Sequence, residues 1–555
     1  MKMTIRRLLP HAALVVATAL VVTAFTGRDE DDYFYKLNRG LELFGQVYRE
    51  IAQSYVDEIE PEEFISAGIE GMLRTLDPYT VYMRRKESAD IELLTSGSYG
   101  GIGITVGVRD SAITIVDIVD GYSAQRQGLR IGDRILSIDG AQVLNIPLDS
   151  LREFTRGEAN TTLTMSVLRE GAGTPLTFVL TRENIRVLSV VHSAIVGNDV
   201  GYIRLERFGA NAGDEVRSAM SDLIKRGARG FILDMRDNPG GLLESAVDVA
   251  GKIVPNGSTI VTTRGRDSTE ERIYRSTEEP IIGDRPLVVV VNGGSASAAE
   301  IVAAAVQDLD AGVILGDRTF GKGLVQSVRR LPHDATLKLT TARYFTPSGR
   351  CIQKAQYASD AHLEPLLADA SASGDFRTAR GRTVTAQGGV VPDTIVADLD
   401  TGSVVARLLA SPVFFDFATA YSAKYSTLPT GFRVDDALMA ELEEYAVRHF
   451  AADADENPVL ARARELHAAA KASSYDPLVL RSIETLQAQI AAESRRVFVT
   501  HRELLRRALQ TELVGRYRGQ RARYETGIAS DPQIQTAIGL VHTGRPAYDR
   551  ILSAR

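Results

Sequence analysis

Residues 287–306 read LVVVVNGGSASAAEIVAAAV: a run of apolar β-formers, a turn of residues with almost no side chain, then an Ala-rich helix. The same texture recurs on both sides of it. Strands such as VGYIRLERF (200–208), GFILDM (230–235) and GVILGD (312–317) alternate with helical stretches such as AGDEVRSAMSDLIKRG (212–227). Alternation of that kind means an α/β layered core over residues 186–400.

In the opening stretch Ser297 stands at or beside the helix start. Unpaired backbone amides and the helix macrodipole stabilise negative charge there, which suits the oxyanion of acyl transfer. Ser297 with Glu300 three residues later is equally a capping box, which needs no catalysis. The small residues of NGGSASAA leave room for a substrate backbone to approach. Upstream, LDMRDNPGG (233–241) sets Gly240 and Gly241 after Pro239 at the carboxyl end of a strand, where α/β sheets put their ligand crevices. The two glycines either lend an amide to an oxyanion hole or simply turn the chain into the next helix.

Downstream, GDRTFGKGLVQ (316–326) comes close to the phosphate-cradling pattern G-x-x-x-x-G-K-[ST]. Gly323 stands where the Mg²⁺-ligating hydroxyl belongs, and LVQSVRRL alternates like a strand where a helix should open. Nucleotide binding is therefore rejected, and Lys322, free between Gly321 and Gly323, is read as a base reaching inward. As a base it must be neutral. Moving a lysine from its ordinary pKa of about 10.4 to roughly 7 takes about 4.6 kcal/mol of bias against the ammonium, within reach of burial. Lys322 is thus expected among apolar side chains such as Phe320 and Val325, with no carboxylate beside it.

The flanks are different in texture. Lys2, Arg6 and Arg7 precede LLPHAALVVATALVVTAFTG, and residues 1–30 read as an export signal or an N-terminal membrane anchor, with Val22-x-Ala24 suiting a signal peptidase. Residues 31–96 are helical, 97–185 form a separate β domain of short strands with Gly, Asp and Asn turns, and 401–555 are helix-forming almost throughout. The chain of 555 residues carries 71 acidic against 64 basic side chains, so its net charge of -7 gives no reason to expect nucleic acid. Cys351 is the single cysteine, excluding an intrachain disulfide and a thiolate zinc cluster. No metal is expected either, since Asp234 and Asp237 have no third clustered ligand and read as ion-pair or turn residues. His192, His333 and His362 sit in no catalytic context, which argues against a Ser-His-Asp triad.

Five motifs, GYIRLERF, LDMRDNPGGLL, VVNGGSASAAEIVAAAVQD, GDRTFGKGLVQ and LKLTTARYFTPSGRCIQ, resemble in order and spacing those of the C-terminal processing peptidases, also called tail-specific proteases. The β domain is similar to a PDZ domain, through YGGIGITV (99–106) and SAQRQGLRIGDRILSIDGAQV (123–143). The resemblance covers roughly residues 31–400. It implies a multidomain fold: a helical N-terminal segment, a PDZ-like β domain, a crotonase/ClpP-like α/β protease core and a C-terminal α-helical region. It further implies Ser297 as nucleophile, Lys322 as general base, Gln326 as the residue orienting the lysine, and oxyanion amides from Ala298 and the Gly240/Gly241 turn. In the PDZ-like domain the amides of Gly101, Ile102 and Gly103 would nest a chain-terminal carboxylate. Ile102, Ile104, Leu148 and Leu151 would receive the last side chain, and Arg156 would couple the domain to the active site. Ala299 and Cys351 replace serines common in the family without removing a catalytic group.

The expected function is an exported, periplasmic or membrane-anchored serine endopeptidase that needs no cofactor. It would act on protein or peptide substrates with free C-termini, oligomeric state being left open. The alternative is a catalytically silent PDZ scaffold of the cell envelope. The Arg-rich stretch of the C-terminal region (Arg495, Arg496, Arg502, Arg506, Arg507, Arg516, Arg518, Arg521, Arg523) is expected to be a solvated or salt-bridged helical face.

Overall fold

The computed structural model describes residues 33–84, 96–109, 111–143, 146–266, 271–333, 335–354, 376–386, 388–397, 404–449, 458–543 and 545–553. The expected export segment, residues 1–30, and His362 lie outside the described residues. Two units are distinguished, residues 1–82 and 83–555. In the first, a helix over 33–54 precedes α1 (Pro61–Leu73), which opens on a proline whose missing N–H costs a first turn nothing. Tyr48 stacks on Phe64 with ring centroids 5.6 Å apart.

The second unit begins with the β domain. Its strands are β1 (Ser98–Gly101), β2 (Ile104–Arg109), β3 (Ala112–Ile118), β4 (Arg134–Ile138), β5 (Thr162–Leu168), β6 (Leu176–Thr181) and β7 (Glu183–Arg186), with helix α2 (Leu148–Thr155) between β4 and β5. The antiparallel sheet runs β2–β3–β4–β5–β6 and β1 pairs β7, which leaves β2 on an edge beside α2. Alternating residues such as Ile113, Ile115, Ile135, Leu163 and Met165 turn inward and close a core with Leu151.

The α/β core follows as β8 (Val190–Val196), β9 (Val200–Leu205), α3 (Ala212–Lys225), β10 (Gly230–Asp234), α4 (Leu243–Gly251), β11 (Thr259–Gly265), β12 (Arg272–Arg275), β13 (Leu287–Val291), α5 (Ala298–Asp308), β14 (Val313–Gly316), β15 (Leu324–Arg330), β16 (Thr336–Phe345) and β17 (Thr394–Ile395). One sheet has the order β8–β9–β10–β13–β14–β17, parallel from β9 onward. Antiparallel pairing joins β15 to β16, β16 to β11 and β11 to β12 in another. Strands buried throughout, such as LVVVV, need cover on both faces. On one face Leu233, Val289 and Val291 pack with α3, α4 and α5. On the other, Tyr202, Ile232, Val288 and Val290 meet Ile534, Ile538 and Val541 of α8 (Pro532–His542), preceded in the chain by α6 (Val413–Lys424) and α7 (Arg502–Ser530). Tyr548, in α9 (Arg545–Ile551), donates its hydroxyl proton to the Leu287 carbonyl (2.7 Å) and accepts the Leu287 N–H (3.1 Å). The last helices of the C-terminal region thus form a layer on the α/β core.

The remaining C-terminal helices have their own core around Phe414, Phe417, Leu442, Leu505 and Leu509. Helix α7 breaks at Gly519 (φ 84°, ψ 177°), where a Cβ would lie 3.1 Å from the Asp120 carboxylate of the β domain. Next to the break, Gln520 donates to Asp117. On the Arg-rich face expected to be solvated or salt-bridged, Arg516 takes the salt-bridged form, with Glu512. Its side chain is buried and its guanidinium reaches the Ile131 carbonyl (3.1 Å), Thr419 Oγ1 (2.7 Å) and Glu512 (3.1 Å), pinning α7 to both the β domain and α6. Among the described residues no single helix is long and apolar enough to cross a membrane.

Candidate active site

The carboxyl ends of β9, β10, β13 and β14 point the same way and carry, in turn, Glu206 and Arg207, Gly240 and Gly241, Ser297, and Lys322. A parallel sheet thus delivers residues 115 positions apart to one crevice. A cleft of about 1010 Å³ is lined by Gly240, Gly241, Ser297, Ala298, Lys322 and Gln326, together with Tyr344. Lys322 is half-buried, and its Nζ donates to Gln326 Oε1 at 2.9 Å. Val325 lines the cleft with it, whereas Phe320, expected to shield the lysine, is 47% exposed.

Ser297 precedes α5 with φ 55° and ψ -111°, outside the ordinary regions for a residue with a Cβ. Glu300, read from the sequence as a cap, does more than cap. Its carboxylate accepts the N–H of Ser297 (2.8 Å) and of Lys322 (2.8 Å) on one oxygen. On the other it accepts the N–H of Gly321 (2.7 Å) and the hydroxyl of Thr319 (2.6 Å). The carboxylate meets the backbone amide of Lys322, whereas the amine donates to Gln326. Glu300 is fully buried, and desolvation pushes its pKa up to about 7 against the pull of these four donors.

Tyr344 ties the same two loops from the carbonyl side. Its hydroxyl faces the Ser297 carbonyl (3.2 Å) and the Lys322 carbonyl. The third loop is tied in by amides and hydroxyls: Asn238 Nδ2 donates to the Leu205 carbonyl (2.8 Å), Ser295 Oγ to the Met235 carbonyl (2.8 Å), and Ala296 N–H to the Asn238 carbonyl (2.9 Å). Sequence reading missed Tyr344, Asn238 and Ser295. All three lay inside quoted motifs, but only the fold reveals their partners.

Gly240 (φ 101°) lies against the nucleophile turn. A Cβ there would sit 2.9 Å from the Ala296 carbonyl oxygen and Ser297 Cβ, and 3.0 Å from the Ala298 nitrogen. Its own N–H, expected to face an oxyanion, donates instead to Asn238 Oδ1 (2.9 Å). Phe208 clasps the turn, donating to the Gly240 carbonyl (3.0 Å) and accepting the Leu242 N–H (2.8 Å). The N–H groups of Ala298 and Gly241 have no acceptor among the described residues.

A second cavity, of about 840 Å³, is lined by Gly101, Ile102, Gly103, Ile104, Leu148 and Leu151, with Arg156 beside them. Ile102 and Leu151 are each 1% exposed and belong to the β-domain core, forming the cavity floor. Residues of α7, including Arg523 and Tyr524, wall it opposite. Arg156 stacks on Tyr99 (4.9 Å) inside its own domain, and described links from this domain to the C-terminal helices include Arg516, Gln520 and Arg109 over the Phe415 ring (5.6 Å).

Of the acidic pair, Asp234 is buried between Arg204 (2.9 Å) and Arg236 (2.6 Å). Burial raises its pKa, but the two guanidinium groups overcome that and hold it at about 2. Arg236 also pairs with Asp531, the N-cap of α8 (2.6 Å). His192 stacks on Tyr524 (5.5 Å), His333 is an exposed turn residue (φ 60°), and no His/Cys/Asp/Glu cluster able to hold a metal occurs among the described residues.

Residues 199–363 match the model of peptidase family S41, 90–168 that of the PDZ domain, 22–87 the "Activating protease CtpB N-terminal domain" and 404–541 the "Probable PDZ-protease, C-terminal helical domain". The carboxy-terminal-processing protease of Bartonella bacilliformis is 34% identical over 362 residues, covering 64% of this chain and 82% of the relative. This chain belongs to the carboxy-terminal processing protease family. Another family member, from Synechocystis sp., is 37% identical over 350 residues (59% of this chain, 81% of the relative). A solved photosystem II D1 C-terminal processing protease matches 64% of this chain and 92% of its own at 28% identity, with a TM-score of 0.35. Membership in the family makes the protein a serine-type peptidase with a PDZ domain.

Proposed function

We propose that the protein is an exported endopeptidase that captures free C-terminal tails in its PDZ groove and cuts them with a Ser297/Lys322 dyad through an acyl-enzyme. The observation that carries this reading is the Lys322 amine held by a neutral amide, Gln326 Oε1 at 2.9 Å, in the same cleft as Ser297. In the first half-reaction Lys322 Nζ takes the Ser297 hydroxyl proton as Oγ attacks the scissile carbonyl carbon. The oxyanion that forms faces the Ala298 and Gly241 N–H groups. Collapse breaks the C–N bond, and the departing amine takes its proton from Lys322. Water then surrenders a proton to Lys322, attacks the ester, and releases the new carboxyl end with Ser297 restored.

Tail capture follows from the open edge of β2 beside α2. An extended peptide adds there as a strand, its carboxylate against the Gly101–Gly103 amides and its last side chain between Ile104 and Leu148. Residues 1–30 would take the protein out of the cytoplasm or tether it at the membrane.

The test is cleavage of a labelled substrate with an unstructured C-terminal tail. Ser297→Ala and Lys322→Ala are expected to lose on the order of a thousandfold or more in kcat/KM. Equal turnover by wild type and both variants, or none by wild type from pH 5 to 10, would hand the function to the scaffold reading. Fractionation of cells expressing the full chain, compared with a chain lacking residues 1–30, tests export.

A further inference from the structure

Arg204, Glu206 and Arg207 line both the catalytic cleft and the PDZ-side cavity, so the two are joined at the end of β9. Two of these three have partners: Arg204 pairs with Asp234, and Glu206 accepts the Tyr524 hydroxyl (2.7 Å). Arg207 has none. It is half-buried, its Nε is sealed from solvent, and no donor of its guanidinium finds an acceptor among the described residues. Its neighbour Phe208 is fully buried and clasps the Gly240/Gly241 turn, which fixes the Arg207 backbone beside the oxyanion turn.

A guanidinium so placed has shed part of its hydration without gaining a counter-charge, an arrangement that favours a ligand bringing one. Charge elsewhere in the cleft points the same way. Lys338, also half-buried, lines its wall with no acidic partner among the described residues. The acidic residues lining the cleft are Glu206, engaged by Tyr524, and the exposed Asp237 and Glu244.

We infer that Arg207 is a specificity-determining residue that reads an acidic side chain in the substrate segment between the PDZ-held terminus and the scissile bond. The inference rests on the tail-capture reading above. A planar fork of donors matches a carboxylate in two parallel hydrogen bonds, which neither a glutamine nor a backbone carbonyl can supply. Such a pair in a partly dry site is worth about tenfold or more in affinity over the uncharged isostere.

The experiment uses full-length Ser297→Ala protein and fluorescently labelled tail peptides with one Glu scanned through successive positions, each paired with its Gln counterpart. Anisotropy is expected to show a Glu-over-Gln preference of about tenfold at one position or two adjacent ones. Adding Arg207→Gln should bring the two peptides to parity while leaving the Gln peptide's affinity unchanged. Arg207→Glu should reverse the preference toward a Lys peptide, and Arg207→Lys, which keeps the charge without the fork, should fall between. Circular dichroism on each variant separates a folding loss from a loss of recognition. Absence of any Glu preference in the wild-type cleft, or its survival in Arg207→Gln, overturns the inference. If an amidated terminus also binds as well as a free one, tail capture falls with it, so the two failures are told apart.

Discussion

Glu300 shows how much one side chain can organise. Its oxygens hold the amides of both Ser297 and Lys322, so the separation of nucleophile and base rests on this carboxylate together with the Tyr344 hydroxyl. Glu300→Gln offers one acceptor oxygen and turns an NH₂ group toward donors. A displacement on the order of 1 Å costs about a hundredfold, and that is the loss expected in kcat/KM, measured with Lys322 unchanged. Its pKa has a second consequence. The folded value of about 7 lies above the ordinary carboxyl value of about 4.3, so the folded state holds the proton longer as pH rises. Glu300's contribution to stability is full below about pH 4.3 and is lost as pH climbs through 7. The difference in melting temperature between wild type and Glu300→Gln should therefore change across that window and be flat above pH 8. Gly240→Ala is a sharper lesion. The added methyl meets the Ala298 nitrogen and Ser297 Cβ at a backbone angle alanine resists, and activity should vanish while circular dichroism stays native. The sequence displayed Ser297, Glu300 and the paired glycines, yet it could not divide the amides between them. Asn238 Oδ1 takes the Gly240 N–H, a fact of loop geometry that spacing does not encode.

At the scale of elements, the broken helix α7 is the chief surprise. An Ala-, Leu-, Glu- and Arg-rich run reads as continuous helix, yet the chain opens at Gly519, where the Asp120 carboxylate of the β domain lies alongside. Gly519→Ala would place a methyl about 3.1 Å from Asp120 and impose a conformation that only glycine adopts freely. Amide exchange in the Asp117–Asp120 segment and in 516–524 is expected to quicken in that variant, with α5 and its neighbours unaffected. Equal protection throughout would show that the break does not hold the PDZ domain. Strand-turn-helix units such as β13 and α5 were legible because periodicity and small-residue turns are local signals. The cover on the second face of the sheet was not, since α8 and α9 come more than 200 residues after β13.

For the whole molecule, that distant cover decides what can fold. Val288, Val290 and Tyr202 lose the helical cover of Ile534, Ile538 and Val541 if the chain stops at residue 400, and Arg236 loses Asp531. A fragment ending there is expected to aggregate or bind hydrophobic dye, whereas the chain through residue 553 should stay monodisperse. A soluble, cooperatively melting fragment would contradict the layer assignment. The trough joining the two cavities at Arg207 is a property of this level too, since β9, α2 and α7 each supply part of its wall.

The backbone at Ser297 has a further consequence. Holding a side chain at φ 55° and ψ -111° costs about 1–3 kcal/mol, which glycine would not incur. Ser297→Gly should melt at a higher temperature than the wild type, even after glycine's extra freedom in the unfolded chain is subtracted, about 0.4–1 kcal/mol. A lineage that stopped needing the reaction could drift downhill to an inert, sturdier binding protein by one codon change, and only selection for turnover keeps the hydroxyl where it is.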